Sequence, residues 1–198
     1  MPPPSTSKIL SILPSTFSYR EGLAAGLSEH HVRRLVAEGR LERQGRGIYQ
    51  QADAFSTDED LSLIAAAAPD ATLCLLSALA RHDLTDRIPS RFDVALPRSR
   101  RPPKLRTPVI WHRFADETFA LGRGQVTLDG GRQIGLYSPE RTLVDVFRIR
   151  HLEGADLAHA SLKRWLRRRG SQPADLLAVA RQFPRTEGVI RQALEVLL

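Results

Sequence analysis

The chain has 198 residues, 42% of them hydrophobic and 26% charged, which suffices for one large or two small domains with packed cores. Its formal net charge is +7, carried by 26 Arg and 3 Lys, which favours a polyanionic partner. Acidic proteins and anionic membranes would also attract this charge. A GC-rich genome explains the arginine excess about equally well. The single cysteine, Cys74, excludes a disulfide framework and a cysteine-type zinc site, and we expect it to be a buried thiol.

No apolar run reaches the length of a membrane span, and residues 1–7 lack the apolar core of a signal peptide. We therefore expect a cytoplasmic bacterial protein with no membrane partner.

The N-terminal region begins with two short predicted helices. An apolar helix over residues 8–13 ends at Pro14, which cannot continue it. Ser18 and Glu21 have the spacing of a capping box, so a second helix begins there. Gly26 then allows a tight turn. Two helices joined in this way are typical of a helix-turn-helix.

A third, basic helix is predicted over residues 29–38, with Ser28 as its cap and Gly39 at its left-handed C-terminal position. The periodicity puts an apolar stripe on one face, formed by Val32, Leu35 and Val36. The opposite face is mostly polar and carries Glu29, His30, Arg33, Arg34 and Ala37.

Residues 41–49 cannot extend this helix, because Gly45 and Gly47 interrupt it. They predict a hairpin with its tip at 44–47, anchored by Ile48 and Tyr49. A basic helix followed by such a wing is typical of a winged helix-turn-helix, and the alternative is a solvated face with ordinary turn glycines. The predicted DNA-binding residues are Ser28, His30, His31, Arg33, Arg34, Arg43 and Arg46.

The remaining chain predicts an α+β body. An acidic linker is predicted over 53–60, followed by a helix at 61–68 that ends at Pro69. The chain is therefore predicted to have three parts: a winged helix-turn-helix at 1–52, a linker and helix at 53–69, and an α+β domain at 70–198. The predicted strands are 92–96, 109–114, and a hairpin of 126–128 with 133–137 across residues 129–131. The predicted helices are 71–82, 139–150, 154–169, 173–182 and 186–198, the last four forming a helical bundle.

Two further basic segments stand out. The proline-rich loop 97–108 has five cations and no acid: Arg98, Arg100, Arg101, Lys104 and Arg106. It is interpreted as a phosphate-binding arm, a dock for an acidic protein face, or a solvated loop. The cations of 163–169 lie where a helix C-terminus is predicted, and their charge is favourable there. The alternative is a second patch that binds nucleic acid or a partner. Trp165, in the same segment, is expected in the core.

Ser138 and Pro139 are typical of a helix start, and Arg141 and Asp145 are spaced to pair on one face of that helix. We read these features as structural.

Catalytic alternatives find little support. The six histidines are scattered, and the chain has neither a phosphate-binding Gly-Lys loop nor a nucleophile elbow. A nuclease body would need clustered carboxylates with a lysine, and none of the three lysines follows that pattern. We predict a non-enzyme without catalytic residues, metal ligands or cofactors.

Three blocks resemble the AbiEi-type antitoxins, the antitoxin half of abortive-infection toxin–antitoxin pairs. They are LVAEGRLERQGRGIY at 35–49, ATLCLLSALARHDL at 71–84 with VALPR at 94–98, and YSPERTLVD at 137–145. The resemblance implies a bacterial antitoxin whose winged helix binds repeats in its own promoter. It also implies that the C-terminal domain counteracts a nucleotidyltransferase-like toxin.

The predicted partners are therefore the operator duplex, bound as an inverted repeat by two copies, and that toxin. A one-component regulator with a ligand- or partner-binding body remains the alternative, and so does a protein–protein module with a vestigial head.

Overall fold

The computed structural model describes residues 6–53, 58–128, 131–153 and 155–197, with no side chains described at 152 and 153. The chain forms two compact units. The first comprises residues 1–71, 103–107 and 126–134, and the second comprises 72–102, 108–125 and 135–198. Helices and strands occur in both, which confirms the predicted α+β class.

The first unit has the topology of a winged helix-turn-helix, as predicted. Its elements are α1 (Thr6–Ile12), β1 (Thr16–Ser18), α2 (Tyr19–Ala24), α3 (Glu29–Ala37), β2 (Leu41–Gly45), β3 (Ile48–Gln51) and α4 (Glu59–Ala67). The three strands form an antiparallel sheet in the order β1-β3-β2. The sequence did not predict β1, because three residues are too few to show strand alternation.

The caps of the two central helices form as the sequence predicts. The hydroxyl of Ser18 accepts a hydrogen bond from the backbone of Glu21, and the Glu21 carboxylate accepts one from the backbone of Ser18. Gly26 has a φ of +105° in the turn before α3, and Gly39 has a φ of +69° just after it. Both conformations are strained for residues with a side chain, so these glycines fix the geometry of the helix-turn-helix.

The core of the first unit is aromatic and aliphatic, with Phe17, Val32, Leu35 and Leu41 buried. Val36, predicted on the same stripe, is 38% exposed. The buried residues of that stripe are therefore Val32 and Leu35.

The wing differs slightly from its prediction. β2 extends to Gly45 and β3 begins at Ile48, so only Arg46 and Gly47 form the tip. A register shift between Arg43 and Gly45 accommodates the extra residue of β2.

Segments distant in sequence complete the first unit. The helix predicted at 61–68 forms as α4 and packs against β1 and β3. Part of the predicted acidic linker, residues 54–57, lies outside the described residues. The segments 103–107 and 126–134 also belong to this unit. The predicted domain boundaries stay predictions.

The second unit is built on a sheet with the order β6-β5-β4-β8-β7. Its strands are β4 (Thr72–Leu73), β5 (Phe92–Pro97), β6 (Val109–Phe114), β7 (Arg123–Thr127) and β8 (Gln133–Tyr137), the last two running into the segment 126–134 of the first unit. β5 is antiparallel to β4 and parallel to β6, and β4 is parallel to β8. Its helices are α5 (Leu75–Arg81), α6 (Asp116–Phe119), α7 (Pro139–Arg148), α8 (Arg150–Glu153), α9 (Ala155–Leu166), α10 (Pro173–Ala180) and α11 (Pro184–Leu197).

Two predicted elements of this unit were wrong at their starts. The strand predicted at 126–128 forms as β7 and begins earlier, at Arg123. The helix predicted from residue 71 begins at Leu75, because Thr72 and Leu73 form the short strand between β5 and β8. Strands β7 and β8 are neighbours, as the predicted hairpin requires, but residues 129 and 130 of its turn lie outside the described residues.

Helix α7 lies at the centre of the second unit and packs against α5, α9, α10 and α11. Ser138 caps it and Pro139 occupies its first turn, as predicted. Arg141 and Asp145 form the predicted pair at 2.8 Å, with side chains 0% and 1% exposed. Trp165 is buried in the surrounding core, as expected.

Cys74 is buried as expected, and burial raises the pKa of its thiol well above the ordinary value. The ionised thiolate is therefore disfavoured, and the residue behaves as a small apolar side chain.

Candidate nucleic-acid interface

The solvent-facing side of α3 carries the predicted recognition residues. Val32 and Leu35 hold the helix to the core, which turns His30, Arg33 and Arg34 outward. An exposed basic helix face of this kind has the size and donors to enter the major groove of duplex DNA.

The two arginines of α3 form ion pairs along the helix. Arg33 donates to Glu29 at 2.5 Å, and Arg34 lies 3.5 Å from Glu38. Arg34 also donates to the hydroxyl of Thr6 on α1 at 3.3 Å. These pairs are solvent-exposed, so they hold the guanidiniums only weakly and can be exchanged for phosphate or base contacts.

Two of the predicted residues, Ser28 and His31, form the cap of α3. The hydroxyl of Ser28 accepts from the backbone N–H of His31 at 3.2 Å, and Nδ1 of His31 accepts from the backbone N–H of Ser28. This capping box orients both side chains toward the helix N-terminus, while His30 beside them is exposed. A helix N-terminus provides a partial positive charge near any phosphate that approaches it.

The wing presents the other two predicted arginines. Arg43 is exposed on β2, where its Nε donates to the carbonyl of Gly45 at 3.3 Å, and Arg46 is exposed at the tip. Gly47 has a φ of +71°, and its carbonyl accepts from the backbone N–H of Tyr19 at 2.7 Å. The tip is thereby fixed to the start of α2.

A cleft of about 450 Å³ separates α3 from the wing. Its lining is made by Tyr19, Glu29, Val32, Arg33, Arg43, Gly47 and Tyr49. The structure thus brings Arg33 and Arg43 to one concavity and adds Tyr19 and Tyr49, whose ring centroids lie 6.5 Å apart. Sequence reasoning missed both tyrosines as site residues, although the position of Tyr19 directly after the Ser18 cap was a usable signal.

Residues 8–50 match the family model of transcriptional regulators described as AbiEi antitoxins. The match runs from α1 into β3 and therefore contains the helix-turn-helix, the wing and the cleft. It confirms the resemblance over this segment, which is similar to the transcriptional regulators and antitoxins of that family. No curated protein matches the chain.

The basic loop predicted as a second patch lies outside the matched AbiEi segment. Arg98, Arg100 and Arg101 belong to the second unit, whereas Lys104 and Arg106 belong to the first, and all five are exposed. Ser99 donates its backbone N–H to Asp116 at 3.2 Å, which fixes the start of the loop. That these cations act as one patch stays a prediction.

Outside the matched segment, two histidines have structural partners within the second unit. His82 contacts the carbonyl of Tyr137 at 2.7 Å, and His112 contacts Asp93 at 2.8 Å. Across the described ranges, the structure contains no group of three or more His, Cys, Asp or Glu side chains that could hold a metal ion. In the same ranges, no helix combines the length and apolar character that crossing a membrane requires.

Proposed function

We propose that this chain is an antitoxin that binds its own operator, represses its toxin–antitoxin operon and counteracts a nucleotidyltransferase-like toxin. The observation that carries the proposal is the cleft between α3 and the wing, flanked by Arg33 and Arg43, within the segment that matches the AbiEi regulators. The chain acts by binding, in the cytoplasm, where a bacterial operator lies.

In the proposed complex, α3 enters the major groove and the wing follows the adjacent backbone. Arg33 and Arg34 project from the exposed face of α3, where a guanidinium can donate two hydrogen bonds to a guanine edge. Arg43 and Arg46 lie on the wing, where they contact phosphates. The cleft between α3 and the wing then receives the DNA strand that separates the two grooves of the duplex.

The tyrosines of the cleft support a phosphate contact at this place. Tyr19 and Tyr49 are half-buried, and they line the cleft together with the exposed Arg33. A tyrosine hydroxyl donates readily to a phosphate oxygen and carries no charge that would oppose it.

Two copies are proposed to bind the two halves of an inverted repeat, because one helix-turn-helix reads only one half-site. Each half-site is contacted by several arginines, so the affinity falls steeply as salt rises. The double-stranded operator and the toxin are the two partners that this function requires.

The proposal is tested with the full chain and the promoter fragment upstream of its gene. Arg33→Ala/Arg34→Ala removes both guanidiniums of the exposed α3 face, and specific retention of the fragment should be lost. Arg169→Ala/Arg185→Ala, two exposed arginines of the second unit, removes the same charge and should bind like wild type. Unchanged retention by the first variant would sink the assignment of α3 as the recognition helix.

A further inference from the structure

The second unit contains a basic groove that the operator-binding head does not use. The groove has a volume of about 730 Å³ and lies between α9 and the loop that follows α5. Its lining is made by Leu84, Thr85, Asp86, Arg87, Asp156, Leu157, Ala160, Lys163, Arg164 and Arg167.

The helical side of the groove is a single stripe of α9. Asp156, Ala160 and Lys163 recur at helical spacing on one face of α9, and Arg167 lies just beyond its end. All four are exposed. The small side chain of Ala160 opens the middle of the stripe. The buried Leu84 and Leu157 form the floor.

The loop side of the groove is held by ion pairs that a ligand can displace. Asp86 pairs with Arg164 at 2.6 Å, and Asp83 lies 3.7 Å from Arg168. The two aspartates are 90% and 83% exposed, so water screens both pairs and each contributes little. Ligand carboxylates can therefore take over Arg164 and Arg168 at small cost.

An exposed apolar residue stands in the same loop. Ile88 is 92% exposed and directly follows Arg87 of the groove. A single exposed aliphatic side chain is common on protein surfaces. Beside a cationic groove it offers an apolar contact that a protein segment can use and a phosphate chain cannot.

The charge distribution also favours a protein partner over a nucleic acid. Arg87, Lys163, Arg164 and Arg167 are interspersed with Asp86 and Asp156, and a phosphate chain in the groove would pass both carboxylates. Mixed charge with a net excess of cations suits a segment that is itself mixed and net acidic.

We propose that this groove, with Ile88 at its edge, binds an acidic protein segment that carries an apolar side chain to meet Ile88. The inference rests on the proposed function in one respect: the segment belongs to the toxin that the chain counteracts. The head then contacts the operator while the groove contacts the toxin.

The test uses the full chain and the nucleotidyltransferase-like toxin that the proposed function requires, taken from the neighbouring gene, co-expressed and co-purified. Lys163→Glu/Arg167→Glu reverses two groove charges, and Arg169→Glu/Arg185→Glu reverses two exposed charges outside the groove. The groove variant should retain about tenfold less toxin than the control variant and fail to rescue growth. Both should retain the promoter fragment. Ile88→Ser, at a side chain almost fully in solvent, should also weaken toxin retention without affecting folding.

Wild-type toxin retention by the groove variant and by Ile88→Ser would overturn the proposal. So would a toxin that does not co-purify with the wild-type chain, or a groove variant that loses DNA and keeps toxin. Promoter retention is read in the same samples. Its absence in the wild-type chain would contradict operator binding while leaving the toxin result to stand by itself.

Discussion

Arg132 donates a hydrogen bond to the carboxylate of Glu21 at 2.9 Å, although 111 residues separate the two in the chain. The same guanidinium donates to the carbonyl of Thr16 at 2.8 Å. Since Glu21 also accepts from the backbone of Ser18, Arg132 is bonded to the capping box of α2. The segment 126–134 therefore contributes directly to the stability of the helix-turn-helix.

Replacing Arg132 should destabilise the first unit. Arg132→Met removes the charged group that donates to Glu21 and to the Thr16 carbonyl. The Arg132 side chain is only 8% exposed. We expect a loss of about 1.5–3 kcal/mol in the free energy of unfolding, near the lower end because Glu21 is 44% exposed. Urea denaturation measures this free energy of unfolding. As a control, Arg20→Met, at an exposed neighbouring position, should change the free energy of unfolding little.

The same contact predicts a pH dependence. Burial raises the pKa of Glu21, but hydrogen bonds from Arg132 and Ser18 outweigh it, so the net pKa lies below the ordinary value of 4.5. A carboxylate whose pKa is lower in the folded chain than in the unfolded chain stabilises the fold at pH values above the unfolded pKa. This contribution is lost as the pH falls through the folded pKa. The stability difference between wild type and Glu21→Gln should therefore shrink below about pH 4.5. A difference that stays constant down to acid pH would contradict this role of Glu21.

Glu29 should restrain DNA binding by neutralising Arg33. In Glu29→Gln the pair at 2.5 Å is lost and a negative charge is removed from the cleft. Because an exposed pair contributes about 0.2–1 kcal/mol, the operator affinity should rise by a factor of roughly 1.4 to 5 at low salt. Fluorescence anisotropy with the promoter duplex measures the change. In the Arg33→Ala background the same substitution should have less effect, and an equal gain there would show that Arg33 is not involved.

The wing and the recognition helix should differ in what they contribute. Arg46 is exposed at the wing tip, so Arg46→Ala should weaken operator and unrelated duplex DNA alike and lower the salt slope by about 1. Arg33→Ala should instead reduce the preference for the operator by about 1–3 kcal/mol. Titrations of both duplexes over a range of salt separate these outcomes. Loss of operator preference in Arg46→Ala would place the wing tip on base edges instead.

The buried pair of α7 should be the most sensitive ionic contact of the second unit. Arg141 also donates to the carbonyls of Thr118 and Leu121, and its guanidinium lies 4.4 Å from the ring centroid of Tyr137. Arg141→Met leaves Asp145 buried beside one remaining arginine, Arg148, and should cost about 3–5 kcal/mol. Arg148→Met, with a side chain 38% exposed, should cost distinctly less in the same denaturation experiment. Equal losses would mean that burial of Arg141 is not the cause.

Features that depend on neighbours in sequence could be predicted without the structure. The capping box at Ser18, the cap at Ser138, the turn at Gly26 and the pairing of Arg141 with Asp145 all involve residues at most four apart. Local hydrogen bonds and allowed backbone angles decide them, and both are encoded in residue type. The helix-turn-helix and its exposed arginines followed from the same local signals.

Features that depend on distant segments appeared only in the tertiary structure. The short strands β1 and β4 form because other strands offer them backbone partners, and their own residues show no strand pattern. The contact of Arg132 with Glu21 and the groove between α9 and the loop at Ile88 likewise need the chain to fold back on itself. The sequence alone determined which helix has an exposed basic face, because periodicity and capping are local; packing decided that Arg132 braces the capping box of α2 and that α9 and the loop at Ile88 form a groove.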